Sequence, residues 1–262
     1  MEKTRLDLLL VERGLVESRS LAQRMVMAGQ VRVDGEVVLK PSVRVAISAG
    51  LVVDQGPRFV SRGGEKLEAA LLAFELEDLQ GLICADIGAS TGGFTDCLLQ
   101  HGAAHVYAVD VGYGELHWKL RNDPRVRVME RTNARSLAGF PQAIDLVTVD
   151  ASFISLRILL PVIRTWFSDG TGKVVALIKP QFEAGRADAA RGEGVIRDPE
   201  IHRQVLVQVL EAAQAEGFGV QGLVRSPLLG PKGNVEFLVY LALPLGRSQP
   251  IADVVSAALL SS

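Results

Sequence analysis

The chain has 262 residues, 48% of them hydrophobic and 22% charged, with a formal net charge of −2, the profile of a globular protein of one large or two smaller domains with a full core. No apolar run approaches the ~18 residues of a membrane span, and the opening MEKTRLDLLLVERG carries charges through what would be the apolar part of a secretory signal. Cys84 and Cys97 are the only cysteines; both fall in apolar patterning and read as reduced core residues of a cytoplasmic protein.

Up to Val60 the chain carries nine Lys/Arg against seven Asp/Glu, and the remainder carries 19 against 23. Arginine supplies most of the early excess, at Arg5, Arg13, Arg19, Arg24, Arg32, Arg44 and Arg58, and its planar fork suits phosphate better than lysine does. RLDLLLVERG places Leu6, Leu9 and Leu10 at helical spacing before Gly14. In SRSLAQRMVMAG, Ser18 predicts an N-cap, Leu21, Met25 and Val26 an apolar face, and Gly29 the stop. QVRVDGEVV then alternates around Asp34-Gly35, a hairpin signal. Two short helices and a small strand unit bury little, so they form a module attached to something larger. This stretch resembles the alpha-L RNA-binding motif shared by a small-subunit ribosomal protein, many pseudouridine synthases and tyrosyl-tRNA synthetases. The resemblance implies that Arg5, Ser18, Arg19, Gln23, Arg24 and Arg32 face structured RNA. An arginine-rich module without an aromatic platform would read backbone charge and shape.

GPRFVSRGGEKLEAALLAF joins this module to the rest. Gly56-Pro57 and Gly63-Gly64 mark breaks, and Leu67, Leu71, Leu72 and Phe74 begin an amphipathic helix. The expected organisation is a small α+β domain over 1–60, a linker over 61–66, an α/β domain over 67–246 and a tail over 247–262. Strands are predicted at 82–86, 105–110, 126–130, 145–150, 173–179, 220–226 and 234–243, with helices between most of them, notably 199–216. This alternation predicts a doubly wound, mainly parallel sheet. PLLGPKG leaves no room for a crossover helix between the last two strands, so they should pair antiparallel.

Gly88, Gly92 and Gly93 lie where the first strand of LICADIGASTGGFTD turns into its helix, the place where such sheets bind ligands. A phosphate-cradling loop would end in Gly-Lys-Ser/Thr, and Gly93-Phe94 does not; a dinucleotide fingerprint would need a second glycine where Ser90 stands. Asp86 at the strand end would face a pyrophosphate unfavourably. It suits a ligand with ammonium and sulfonium groups, S-adenosyl-L-methionine, whose ribose hydroxyls Asp110 at the end of the second strand would accept.

Polar residues at the other strand ends point to the chemistry. Asp150 closes DLVTVD, Lys179 closes KVVALIK, Glu236 lies near the start of the antiparallel last strand, and Lys66 sits in the first turn of the amphipathic helix. Their order Lys, Asp, Lys, Glu resembles the catalytic tetrad of ribose 2′-O-methyltransferases of the FtsJ-like fold. A ribose hydroxyl is a poor nucleophile near neutral pH; a lysine held by carboxylates can orient it and take its proton or steady developing oxyanion charge. Lys179 is assigned that role, Asp150 and Glu236 position the lysines, and Lys66 helps hold the substrate. His101, His105, His117 and His202 form no metal-ligand spacing, and the reaction needs no metal.

The joint occurrence of SRGGEKL, DIGASTGGFTD, VTVDASFISL, LIKPQFE and GPKGNVEFLVYL behind an alpha-L motif closely resembles the TlyA-type ribosomal RNA methyltransferases, some of which are called hemolysins. The resemblance implies a doubly wound Rossmann-like methyltransferase domain with an antiparallel last strand, cytidine 2′-O-methylation, ribosomal RNA or ribosomal subunits as partner, and further cofactor contacts from Ser90, Thr91, Phe94 and Asn133. The polar, glycine-rich stretch after Lys179 reads as a mobile loop closing over RNA with Arg186, Arg191 and Arg197, and Trp118 and Trp166 read as packing residues. A membrane-lytic protein, a non-catalytic ribosomal-RNA-binding factor and an oxidoreductase are the competing readings. Lysis by pure protein, RNA binding without methyl transfer, and nicotinamide cofactor titration respectively discriminate them.

Overall fold

The computed structural model describes residues 2–54, 56–184, 194–246 and 248–260. The chain forms two compact units, Met1–Arg58 and Phe59–Ser262.

In the smaller unit a short strand β1 (Lys3–Arg5) leads directly into helix α1 (Leu6–Glu12), and helix α2 (Arg19–Met27) follows. The Ser18 hydroxyl caps α2, accepting the Leu21 amide at 3.3 Å. Strands β2 (Val31–Val33) and β3 (Glu36–Val37) form the hairpin across Asp34 and Gly35. The φ values there, 51° and 91°, are the two left-handed conformations that a tight turn matching strand twist requires. Strand β4 (Arg44–Ala46) pairs with β1 and β5 (Leu51–Val53) with β2, both antiparallel. The apolar spacing of the helices converges on a small core of Leu6, Leu10, Val16, Ala22, Val26 and Val31.

Helix α3 (Gly63–Ala73) opens the larger unit, so residues 63–66, expected in a linker, are its first turn. Leu67 and Leu71 are buried, whereas Leu72, expected on the same face, is more than half exposed, because one residue step turns a helix by about 100°. Strand β6 (Ile83–Ile87), helix α4 (Gly93–Gln100), β7 (His105–Val109), α5 (Trp118–Arg121), β8 (Val126–Met129), β9 (Leu146–Val149), α6 (Leu156–Thr165), β10 (Gly172–Ile178), α7 (Pro180–Glu183), α8 (Pro199–Ala215), β11 (Gly219–Arg225), β12 (Phe237–Leu243) and α9 (Ile251–Leu260) follow. The seven strands fall within three residues of their predicted bounds. They form one sheet of order β11-β12-β10-β9-β6-β7-β8. β12 runs antiparallel to both β10 and β11, while the pairs from β10 through β8 are parallel.

Both faces of this sheet are covered, so its central strands are continuous apolar runs and not alternating ones. Along β10, Val174, Ala176 and Ile178 enter a core shared with α6, α8 and α9, and Val175 and Leu177 enter a second core shared with α3 and α4. Residues 247–262, expected as a tail, contribute α9, whose Val254, Val255 and Ala258 are buried in the first core. Trp166 packs as expected, with its indole N–H donated to the Leu137 carbonyl at 2.9 Å. Trp118 does not pack: it is 71% exposed.

The strand order reverses between β6 and β9. The chain leaves β6 to add β7 and β8 on one side, then returns to add β9 and β10 on the other. The loops after β6 and β9 must diverge, which opens a crevice at the carboxyl end of the sheet.

Phe218, at the junction of α8 and β11, is fully buried in the first core. Phe218→Ala is expected to lower the unfolding free energy by about 3–5 kcal/mol through lost burial and a cavity, measurable by urea titration.

Candidate functional site

That crevice holds a cavity of about 220 Å³ between the loop after β6 and the loop after β9. Gly88, Ser90, Thr91, Gly93 and Phe94 form one wall; Asp150, Ser152 and Lys179 form another, and Ser61, Arg62, Gly63 and Lys66 from the start of α3 complete it.

Two lysine–carboxylate pairs stand at this edge. Lys179, one residue past β10, places its ammonium 2.6 Å from Asp150 Oδ1 and donates to Ser152 Oγ at 3.0 Å. Lys66 places its ammonium 2.5 Å from Glu236 Oε2. Both lysines are 8% exposed and Glu236 1%. The antiparallel direction of β12 explains the second pair. Ile178 lies opposite Phe237, so the first residue before β12 and the first after β10 meet at one edge of the sheet. All four residues singled out in the sequence come together here, Glu236 by way of Lys66 and not on the cavity wall itself. Sequence reasoning missed Ser152, whose only signal was its place two residues after a strand-end acid.

Asp86 behaves differently from expectation. Its side chain is fully buried beneath the glycine loop, accepting hydrogen bonds from Thr95 Oγ1 at 2.7 Å and Thr148 Oγ1 at 3.0 Å. It does not line the cavity, because α4 follows the loop so closely that Thr95 covers the carboxylate. Burial pushes its carboxyl up to about 7, the two threonine hydroxyls oppose the rise, and the charge of Asp150 adds to it. Asp110 accepts the Ser90 amide at 2.8 Å and the Gly112 amide at 2.7 Å, which ties the loop after β6 to the loop after β7. Each carboxylate oxygen retains a lone pair for a further donor.

The glycines also serve a use that the sequence reading did not assign. Gly88 has φ 81°, and a Cβ there would stand 2.7 Å from the Asp150 carbonyl oxygen; a Cβ at Gly93 would stand 2.8 Å from the Gly64 backbone nitrogen. These positions admit the protein's own backbone, drawing the start of α3 and the loop after β9 onto the cavity. Gly92, with φ 97°, caps α4. Asn133 is exposed, and its side chain accepts the Arg135 amide at 3.0 Å, away from the cavity wall. Arg186 and Arg191 lie outside the described residues, and Arg197 is exposed.

In the smaller unit Arg24 is exposed, Arg32 is exposed with Nη1 donating to the Gly35 carbonyl at 3.2 Å, and Ser18 is spent on the cap of α2. Arg5, Arg19 and Gln23 converge on a single acid, Asp7. Among the described residues there is no group of three or more His, Cys, Asp or Glu able to hold a metal ion, and no helix long and apolar enough to cross a membrane.

Residues 59–243 match the FtsJ-like methyltransferase family. The chain belongs to that family. Residues 4–52 match the S4 domain. The chain is 46% identical to a 16S/23S rRNA (cytidine-2′-O)-methyltransferase, TlyA, of Mycobacterium tuberculosis, over 94% of this chain and 92% of that one. It is 42% identical to a protein named hemolysin A of Brachyspira hyodysenteriae, over 91% and 100%. A solved structure with a provisional hemolysin name, from Streptococcus thermophilus, is 45% identical with a TM-score of 0.72 and covers 98% of this chain and 96% of that one. The seven-stranded order with its antiparallel last strand is thus the sheet of an FtsJ-like methyltransferase, and the cavity lies at its strand-order reversal.

The state of Asp86 in this FtsJ-like methyltransferase gives a signed expectation. A carboxyl raised in the folded state holds its proton where the unfolded chain has released it, so stability falls as pH rises from about 4 to about 7. Asp86→Asn removes that loss. Urea titrations across this window should show the variant gaining on the wild type as pH rises; parallel profiles would mean that Asp86 titrates alike in both states.

Proposed function

We propose that the chain transfers a methyl group from S-adenosylmethionine to the 2′-hydroxyl of a cytidine ribose in ribosomal RNA, acting in the cytoplasm on ribosomal RNA or ribosomal subunits. One observation carries the reading: two lysine–carboxylate pairs, drawn from parts of the chain as far apart as residues 66 and 236, meet at a cavity beside a glycine loop. The cytidine-2′-O-methyltransferase activity for which the Mycobacterium relative is named supports it, and the S4 match over residues 4–52 supports an RNA partner.

The donor set fits S-adenosylmethionine. The loop from Gly88 to Phe94 contains no lysine or arginine to neutralise a pyrophosphate, and Asp110, tied to the loop by the Ser90 amide, suits a ligand carrying ribose hydroxyls. Gly88, Ser90, Thr91, Gly93 and Phe94 would hold the cofactor on the cavity wall and Asp110 its ribose, and Gly92 shapes the turn. When bound, the cofactor supplies an electrophilic methyl group.

The remaining work falls to the chain. Asp150 and Ser152 fix the Lys179 ammonium by three acceptors, the Asp150 carboxylate, its backbone carbonyl and the Ser152 hydroxyl. A 2′-hydroxyl beside this nitrogen is oriented for attack; as the ammonium Lys179 steadies the charge growing on the oxygen, and only as the neutral amine, after losing a proton to solvent, can it take the hydroxyl proton. The buried Lys66–Glu236 pair presents a second fixed positive charge to the substrate and closes the cavity toward α3. Exclusion of water by the sheet and by Phe94 strengthens both interactions.

Lys179→Ala should leave folding and cofactor affinity nearly unchanged and lower single-turnover methyl transfer to ribosomal RNA by about 10²-fold or more. Lys179→Arg should not restore it, because a guanidinium is effectively never deprotonated and its fork does not replace a point charge. Near wild-type transfer in Lys179→Ala would overturn the assignment. Asp110→Ala should weaken S-adenosylmethionine binding in calorimetry; unchanged affinity would remove Asp110 from the site.

A further inference from the structure

In the smaller unit one acid is out of reach of solvent. The Asp7 side chain is fully buried in the first turn of α1, and its carboxylate accepts four hydrogen bonds from three side chains. Arg5 grips it with one edge of its guanidinium, Nε to Oδ1 at 2.9 Å and Nη2 to Oδ2 at 2.8 Å. Arg19 Nε reaches Oδ2 at 3.1 Å, and Gln23 Nε2 reaches the same oxygen at 2.8 Å. The Arg5 hydrogen bonds hold the Asp7 carboxyl far below the usual carboxylate range against the cost of burial, so the charge is permanent.

The donors come from separate places: Arg5 from the end of β1, and Arg19 with Gln23 from one face of α2, four residues apart. Their side chains stay accessible, Arg5 at 36% and Arg19 at 52%. Two guanidiniums around one carboxylate leave one net positive charge. Arg19 commits only its Nε to Asp7, which leaves its terminal amino groups for another acceptor. An arginine tethered in this way has already lost the rotamer freedom that binding would otherwise cost.

We propose that Asp7 is a positioning residue for RNA: it yokes Arg5 and Arg19 into one fixed fork that takes a backbone phosphate of structured RNA. The inference rests on the reading of this unit as RNA-binding. It runs against simple electrostatics, in which an acid beside an RNA surface repels the phosphates and its removal tightens binding.

The two accounts differ in sign, and filter binding of the full chain to deproteinised, magnesium-refolded ribosomal RNA separates them. Asp7→Asn is expected to weaken binding by about tenfold, the scale of a lost charge-assisted network, although the protein becomes more positive. Arg19→Lys, which keeps the charge, should also weaken it. In an Arg5→Ala/Arg19→Ala background, Asp7→Asn should add nothing. Equal or tighter binding by Asp7→Asn, or an equal loss in the background lacking both arginines, would overturn the positioning role. If circular dichroism shows Asp7→Asn unfolded, Arg19→Lys decides, and unchanged binding there overturns it. Wild-type binding by the double arginine variant would instead remove the RNA reading of this surface, a separate result.

Discussion

Lys66 and Glu236 are withdrawn from water 170 residues apart in the chain, and neither charge could persist there alone. Removing a lysine or a glutamate from water costs several kcal/mol per ion, and losing one partner of such a pair typically destabilises by about 3–5 kcal/mol because the other is left uncompensated. The first turn of α3 and the first residues of β12 are therefore obliged to meet. Once they meet, the start of α3 becomes a wall of the cavity, and Ser61, Arg62 and Gly63 follow it into place. Glu236 Oε1 is buried without a hydrogen-bond partner among the described residues. Tight packing sustains the arrangement: a Cβ at Gly230 would lie 2.0 Å from that oxygen.

The second lysine lives under a different constraint. Asp150 is only partly buried and shares Lys179 with Ser152 and its own carbonyl. Beneath it, Asp86 is sealed under two threonines, with a carboxyl raised to about 7. One edge of the sheet thus carries three carboxylates, Asp86 and Glu236 buried and Asp150 partly exposed, each with its own set of donors.

Most of the scaffold was legible because buried parallel strands leave continuous apolar runs that punctuation brackets cleanly. The antiparallel β12 followed from a connection too short to cross over, and that direction in turn placed Glu236 beside the ends of its neighbours. The failures share a cause. Asp86 was expected on the cavity wall, yet whether a strand-end acid faces ligand or core depends on how closely the next helix returns, which no local pattern records. Leu72 was misplaced by a one-residue step around a helix. The glycine loop was read for ligand approach, and only the folded chain shows Gly88 against the Asp150 carbonyl and Gly93 against Gly64. The Asp7 network escaped notice because an acid in a helix's first turn is ordinary until the tertiary fold brings two arginines to it.

The place of β12 in the sheet has a temporal side. It inserts between β10 and β11, both made earlier in the chain, so the strand that leads to Lys179 is synthesised before the neighbour that completes its edge. During synthesis, every length of chain that stops short of residue 236 holds Lys66 without its partner. The Lys66–Glu236 pair therefore waits on the final strand of the sheet. A nascent chain on the ribosome carries an unfinished site until nearly all of the larger unit has emerged.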